Sequence, residues 1–159
     1  MDVCAVVMAA GEGKRMHSKH SKVVQKAAGK PLVVWVADAL REAGAEEQVY
    51  IVGYKQEEVR AALGENVAFV LQEQQLGTGH AVMQAAPFLE GRNGCTIVLP
   101  GDAPIITPET LKAAIEMFER ESFGAVVITA EAPEPKGYGR LVRDENGHVV
   151  KIVEDRDAT

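Results

Sequence analysis

The sequence predicts an α/β domain with a mostly parallel sheet, helices on both faces, and a C-terminal β-hairpin. Three observations predict it. Short apolar runs alternate with stretches of helical periodicity from residue 4 to residue 132, and strands alternating with helices build parallel sheets. The first apolar run, CAVVMAA, ends at a loop dense in glycine and basic residues. Near the end, Asn146-Gly147 lies between two extended runs, the strongest short signal for a hairpin.

The elements follow in order. Residues 4–10 (CAVVMAA) read as a buried strand bounded by Gly11. Residues 31–44 read as a helix, because Leu32, Trp35, Val36, Ala39 and Leu40 recur at helical spacing and Gly44 is a stop. QVYIVGY (48–54) is a second strand, and 55–63 a short helix with Val59, Ala62 and Leu63 on one face. VAFVLQ (67–72) is a third strand, followed by a helix over 79–89 closed near Pro87. CTIVLPGD (95–102) is a fourth strand running into a loop. Thr107-Pro108 offers a hydroxyl cap and a first-turn proline to a helix carrying Leu111, Ala114, Ile115 and Phe118 inward. AVVITAEA (125–132) reads as a fifth strand, and YGRLVRD and HVVKIVE as the arms of the hairpin.

The chain has 159 residues, enough for one domain, or part of one, with a sizeable core. Its net charge of −6 excludes a general nucleic-acid surface. The two cysteines, Cys4 and Cys95, lie in apolar runs and read as buried, reduced thiols of a cytoplasmic protein. The apolar start is too short to span a membrane and lacks a secretory pattern.

Against that acidic background, the loop from Ala9 to Lys22, AAGEGKRMHSKHSK, gathers Lys14, Arg15, His17, Lys19, His20 and Lys22. In parallel sheets the ligand crevice lies outside the carboxyl ends of the strands, which here means the residues after Ala10, Gln72 and Leu99. Glycines let backbone N–H groups approach an anion, a following helix start adds a dipole, and Lys and Arg add formal charge. The loop therefore suits a polyphosphate, with a solvated basic turn as the plain alternative. Two common phosphate motifs fail. Met16 stands where a dinucleotide fingerprint needs its third glycine, and Arg15 follows Gly13-Lys14 where a P-loop needs Ser or Thr.

MAAGEGKRM, from Met8 to Met16, resembles the signature loop of the sugar-nucleotide pyrophosphorylases, a branch of the nucleotidyltransferases. The resemblance implies a Rossmann-like nucleotidyltransferase fold. It makes Met8, Ala9, Ala10 and Gly11 substrate-binding, with Arg15 on the leaving phosphates. LQEQQLGTGHA, from Leu71 to Ala81, can read a nucleobase edge, since a glutamine amide offers both donor and acceptor. It resembles the uracil-reading segment of the N-acetylglucosamine-1-phosphate uridyltransferases, which implies that Gln72, Gly77 and Thr78 hold uracil. His80 needs no catalytic role.

In LPGDAPII, Asp102 lies just past a buried strand and is the best single ligand for the Mg²⁺ that a triphosphate requires. The family pattern agrees, with a Gly101-Asp102 pair at the metal; Pro100 stands where many relatives carry tyrosine or a small residue, and Pro100 and Gly101 are expected beside the nucleotide. Lys22 corresponds to the lysine of the family's Pro-Lys-Val, which contacts phosphate. Here Ser21 replaces that proline, and the turn is expected to be looser for it. In the hairpin the resemblance makes Gly139 and Glu154 contacts of an acetamido sugar.

The implied reaction joins UTP to N-acetylglucosamine 1-phosphate, giving UDP-N-acetylglucosamine and pyrophosphate for bacterial cell-wall precursor synthesis. The resemblance covers essentially all of residues 1–159. Family members continue through the rest of the transferase domain into a left-handed β-helix acetyltransferase. The expectation is therefore the N-terminal part of a nucleotidyltransferase domain without the β-helix or its trimer: a UTP-binding core with little turnover, and no nucleic-acid or membrane partner. Two alternatives stay open, a pyrophosphorylase for another sugar 1-phosphate and a non-catalytic nucleotide-binding fragment.

Overall fold

The structure is a computed structural model that describes residues 1–13, 16–121 and 123–157. The chain divides into two compact units, Met1–Val126 and Val127–Thr159.

The first unit runs β1 (Asp2–Ala9), a 3-10 turn (Lys22–Val24), β2 (Lys26–Ala27), β3 (Lys30–Pro31), α1 (Leu32–Glu42), β4 (Glu47–Val52), α2 (Gln56–Leu63), β5 (Ala68–Leu71), α3 (Thr78–Met83), α4 (Ala86–Leu89), β6 (Gly94–Pro100) and α5 (Pro108–Glu121). Four strands form one sheet in the order β5-β4-β1-β6, and every pairing in it is parallel. The expected parallel sheet is therefore present. Alternate residues of the central strands face two apolar layers. Ala5, Val7, Ala9, Tyr50 and Val52 pack with Val33, Val36, Leu40, Val59 and Leu111, so α1, α2 and α5 cover one face. Val6, Ala10, Val49 and Ile51 pack with Ala81 and Ala85 on the other.

Several details depart from the sequence reading. The buried stripe of α1 is Val33, Val36, Ala37, Ala39 and Leu40. Trp35 turns aside instead, donating its indole N–H to the Ala27 carbonyl at 2.9 Å under the small β2–β3 hairpin. The helix expected over 79–89 is broken into α3 and α4, because Pro87 lacks an N–H and its ring clashes with the carbonyl four residues back. The segment 125–132, expected as a strand, forms none. Its apolar residues would supply a face, but a strand also needs a ladder partner, and Val127 and Ile128 remain about half exposed (50% and 45%). Thr107 caps α5 as expected, accepting the Thr110 N–H at 3.3 Å. Cys4 and Cys95 are free and buried, and burial pushes the Cys95 thiol up. No helix of the described residues is long and apolar enough to cross a membrane.

The second unit contains the expected hairpin, β7 (Arg140–Arg143) against β8 (Val149–Val153), antiparallel. Asp144 ties its turn, accepting the N–H groups of Asn146 and His148 at 2.9 Å each.

One buried polar network locks β4 to α1. Tyr50, fully buried, donates its hydroxyl to Gln48 Oε1 at 2.5 Å. Gln48 Nε2 in turn donates to the carbonyls of Ala37 and Ala45. Tyr50→Phe keeps the ring but strands the Gln48 oxygen, so chemical denaturation should show a loss of about 1–3 kcal/mol.

Candidate active site

After β1 the chain crosses to β4 and β5, then returns to β6 on the other side of β1. The carboxyl ends of β1 and β6 thus flank the reversal of strand order, where ligands of open α/β sheets bind. The backbone there is crowded and nearly free of large side chains. Gly101 donates its N–H to the Met8 carbonyl at 2.9 Å, and a Cβ on Gly101 would lie 3.2 Å from that oxygen. On the other side a Cβ on Gly53 would lie 3.1 Å from both the Ala10 oxygen and its Cβ.

Two opposite charges meet in this space. Lys22, reached from β1 through the basic loop, forms an ion pair with Asp102, the second residue beyond β6. Their side chains are 37% and 25% exposed. A solvent-accessible pair of this kind is worth about 0–1 kcal/mol, so a ligand can open it cheaply. Gly13 makes the path possible. Its φ is +63°, and a Cβ there would lie 2.7 Å from the Lys22 Cβ. Beyond the loop, the Lys22–Val24 turn has three residues and α1 starts at Leu32; residues 14 and 15, directly after Gly13, lie outside the described residues.

Gln72 continues the end of β5, its N–H donating to the Val52 carbonyl at 2.8 Å. It is 4% exposed. Its side-chain nitrogen donates to the Gly77 carbonyl at 3.2 Å and contacts His80 Nδ1 at 3.0 Å. The Gln72 amide nitrogen thus has the Gly77 carbonyl and His80 Nδ1 as its two partners. Both amide hydrogens of Gln72 are then directed at protein groups, and its carbonyl oxygen is the half left for a ligand. Gly77, at φ +105°, precedes α3, whose exposed first residue is Thr78. Gln75 donates from Nε2 to the Ala10 carbonyl at 2.9 Å, joining this turn to the end of β1.

The loop is also tied to α2. Glu58 Oε2 accepts the Ser21 N–H at 2.8 Å. Its other oxygen lies 3.3 Å from His20 Nδ1 and 3.6 Å from Lys55 Nζ. Ser21 is not loose, as its sequence context suggests. It sits at φ −55° and ψ 141°, angles a proline would adopt.

The family model of the MobA-like NTP transferase domain matches residues 5–155. The chain belongs to this nucleotidyltransferase family. Among similar curated proteins are bifunctional protein GlmU of Halalkalibacterium halodurans, 50% identical over 155 residues, and bifunctional protein GlmU of Thermoanaerobacter pseudethanolicus, 48% identical over 154 residues. These alignments cover 98% and 97% of this chain but 34% of each relative, so the chain spans about a third of their length. A solved UDP-glucose pyrophosphorylase complexed with UDP-glucose matches 98% of this chain and 69% of that one, with a TM-score of 0.81 at 22% identity. A nucleotidyl transferase from Methanothermobacter matches 72% of this chain and 56% of that one, with a TM-score of 0.63 at 23% identity. Both show the nucleotidyltransferase fold.

Within this family fold the first unit brings together Met8, Ala9, Ala10, Gly101, Lys22 and Asp102, with Gly11 and Pro100 exposed beside them. Arg15 lies outside the described residues. Gly139 and Glu154 are exposed in the second unit. Beside them Arg140 folds back on the Pro135 carbonyl at 2.7 Å and on Asp155 at 3.1 Å. Among the described residues no three His, Cys, Asp or Glu side chains group to hold a metal. A lone Asp102 suits Mg²⁺, which takes one or two carboxylates and completes its shell with phosphate oxygens and water.

Sequence reasoning passed over Gly53, Glu58 and Gln75, and gave His80 no part in orienting Gln72. Gln75 falls inside the recognised LQEQQLGTGHA stretch and Gly53 at a strand end, so both carried a positional signal.

The Ser21 N–H above all, with His20 and Lys55, holds the Glu58 carboxyl below its ordinary value of 4.5. A carboxyl so lowered supports the fold above its ordinary value, and that support goes as pH falls through the lowered one. An NMR titration should show the Ser21 amide resonance moving with a midpoint below 4.5.

Proposed function

We propose that this chain carries the nucleotide site of a uridylyltransferase that joins UTP to N-acetylglucosamine 1-phosphate, releasing pyrophosphate. The observation that carries the reading is the Lys22–Asp102 pair at the carboxyl ends of β1 and β6. It provides one cation for phosphate and one carboxylate for metal at a single point. The GlmU relatives, similar across nearly the whole chain, support the substrate pair.

The chain's own residues would act by positioning and by charge, as in-line phosphoryl chemistry demands. Lys22 leaves Asp102 for the phosphates of UTP, and Arg15 neutralises the leaving pyrophosphate. Asp102 would then be free to hold Mg²⁺. When bound, the metal neutralises charge on the phosphates and orients them for attack by the sugar phosphate oxygen. Gln72 Oε1 accepts a hydrogen bond from the uracil ring, which selects a base with an N–H at that edge. Small residues at Ala9, Ala10, Gly11, Gly101 and Gly77 let the nucleotide approach the backbone, beside Met8, Pro100 and Thr78. Gly139 and Glu154 are the sugar contacts on this reading, supported by the family resemblance and by their exposure. Two free, buried thiols fit a cytoplasmic setting, where UTP is available.

Calorimetric titration with UDP-N-acetylglucosamine, with and without Mg²⁺, tests the reading against UDP-glucose and dTDP-glucose. Selective, Mg²⁺-dependent binding of the acetamido sugar nucleotide is expected. Equal binding of both uridine nucleotides would withdraw Glu154, and equal binding of all three would withdraw Gln72. Asp102→Ala should abolish the Mg²⁺ dependence. Gln72→Ala should weaken uridine binding on the order of tenfold, one hydrogen bond's worth.

A further inference from the structure

Lys22 is the cation of the proposed site, yet it stands on an irregular stretch between β1 and β2. Gln25 donates its side-chain amide to Ser18 Oγ at 2.9 Å, a bond internal to the loop. Outward, the stretch reaches α2. Ser21 donates its N–H to Glu58 Oε2 at 2.8 Å, and Lys55 Nζ donates to the Lys19 carbonyl. Ser21 itself is wholly buried, and its hydroxyl has no partner among the described residues. The side chain therefore gains nothing from its polarity, and the useful group at this position is the N–H. A charge-assisted bond from a buried amide to a carboxylate is among the stronger ones a protein makes.

We propose that Glu58 is a positioning residue for nucleotide binding. It clamps the Ser21 N–H, fixes that residue in its extended conformation, and so sets Lys22 opposite Asp102. This rests on the reading of Lys22 as a phosphate ligand. Glu58 touches neither phosphate nor metal, and the sign of its effect separates clamp from field. A carboxylate near a polyphosphate repels it, so by charge alone Glu58→Ala would tighten binding. As a clamp, Glu58→Ala weakens it.

The backbone supplies a second route to the same geometry. Ser21 has φ −55° and ψ 141°. Proline there would fix φ covalently, making the N–H bond unnecessary, and would remove the unpartnered hydroxyl. Ser21→Pro cannot repair α2, so rescue by it excludes a role for Glu58 confined to that helix.

The experiment measures Mg²⁺–UTP affinity by calorimetry in the full chain and in Glu58→Gln, Glu58→Ala, Ser21→Pro and the Ser21→Pro/Glu58→Ala double variant. It also measures Ser21 amide exchange by NMR in the first three, all of which retain that amide. Glu58→Ala should bind about ten- to a hundredfold more weakly, the worth of one hydrogen bond to a charged group. Ser21 exchange should quicken by a similar factor. Glu58→Gln, which keeps an acceptor, should fall between, and the double variant should return to within about threefold of the parent, under 1 kcal/mol. Unchanged or tighter binding in Glu58→Ala overturns the proposal, as does a double variant as weak as Glu58→Ala. If the parent chain binds no UTP, the uridylyltransferase reading and this role of Glu58 fall together. Ser21 exchange then reports separately whether the clamp itself exists.

Discussion

The end of β1 is the constraint on which the rest depends. It is the inner strand between β4 and β6, and its last residue, Ala9, and the next, Ala10, are small and buried. Gly53 crowds it from one side and Gly101 from the other. Larger side chains at these positions would hold apart the loops that meet there. With them absent, the Ala10 carbonyl can accept from both the Tyr54 N–H and Gln75 Nε2, and the Met8 carbonyl can accept from Gly101. Two backbone bonds and one from a side chain thus stitch three loops to one strand end, and a flat ligand or a phosphate can approach main chain directly.

Charge is placed on that framework rather than built into it. The protein is acidic overall, at −6, yet Lys22, at the end of the basic loop, carries a cation to the strand ends. That charge is matched within the fold by Asp102, and beside it Glu58 pairs with Lys55 of the α2 entry. The Lys22–Asp102 pair is accessible and weak. It can hold both side chains in place and still exchange its partners for a metal and a phosphate. A dry, tightly paired site would resist that exchange, because desolvated pairs are costly to break.

The parallel sheet was legible because its strands are short apolar runs separated by helical periodicity, and the hairpin because Asn146-Gly147 marks a tight turn. The strand order was not legible, since periodicity does not say which edge a returning strand takes. Residues 125–132 show the same limit: an apolar run describes a face, but pairing is nonlocal. The break between α3 and α4 was written in Pro87 and misread as a helix end. At the site, the local segments around Gly11, Gln72 and Asp102 were readable as motifs. The Ser21–Glu58 bond was not. It joins residues 37 apart, and Ser21 read as a loosened turn until its angles and partner were seen.

The central claim is that metal and nucleotide meet at Asp102 and Lys22, outside the ends of β1 and β6. Paramagnetic broadening by Mn²⁺ in the presence of UTP tests it most directly. The account predicts that amide resonances of Gly101, Asp102 and Val23 broaden first, only when UTP is present, and that Asp102→Ala abolishes the effect. Broadening centred elsewhere, or unchanged in Asp102→Ala, would contradict it.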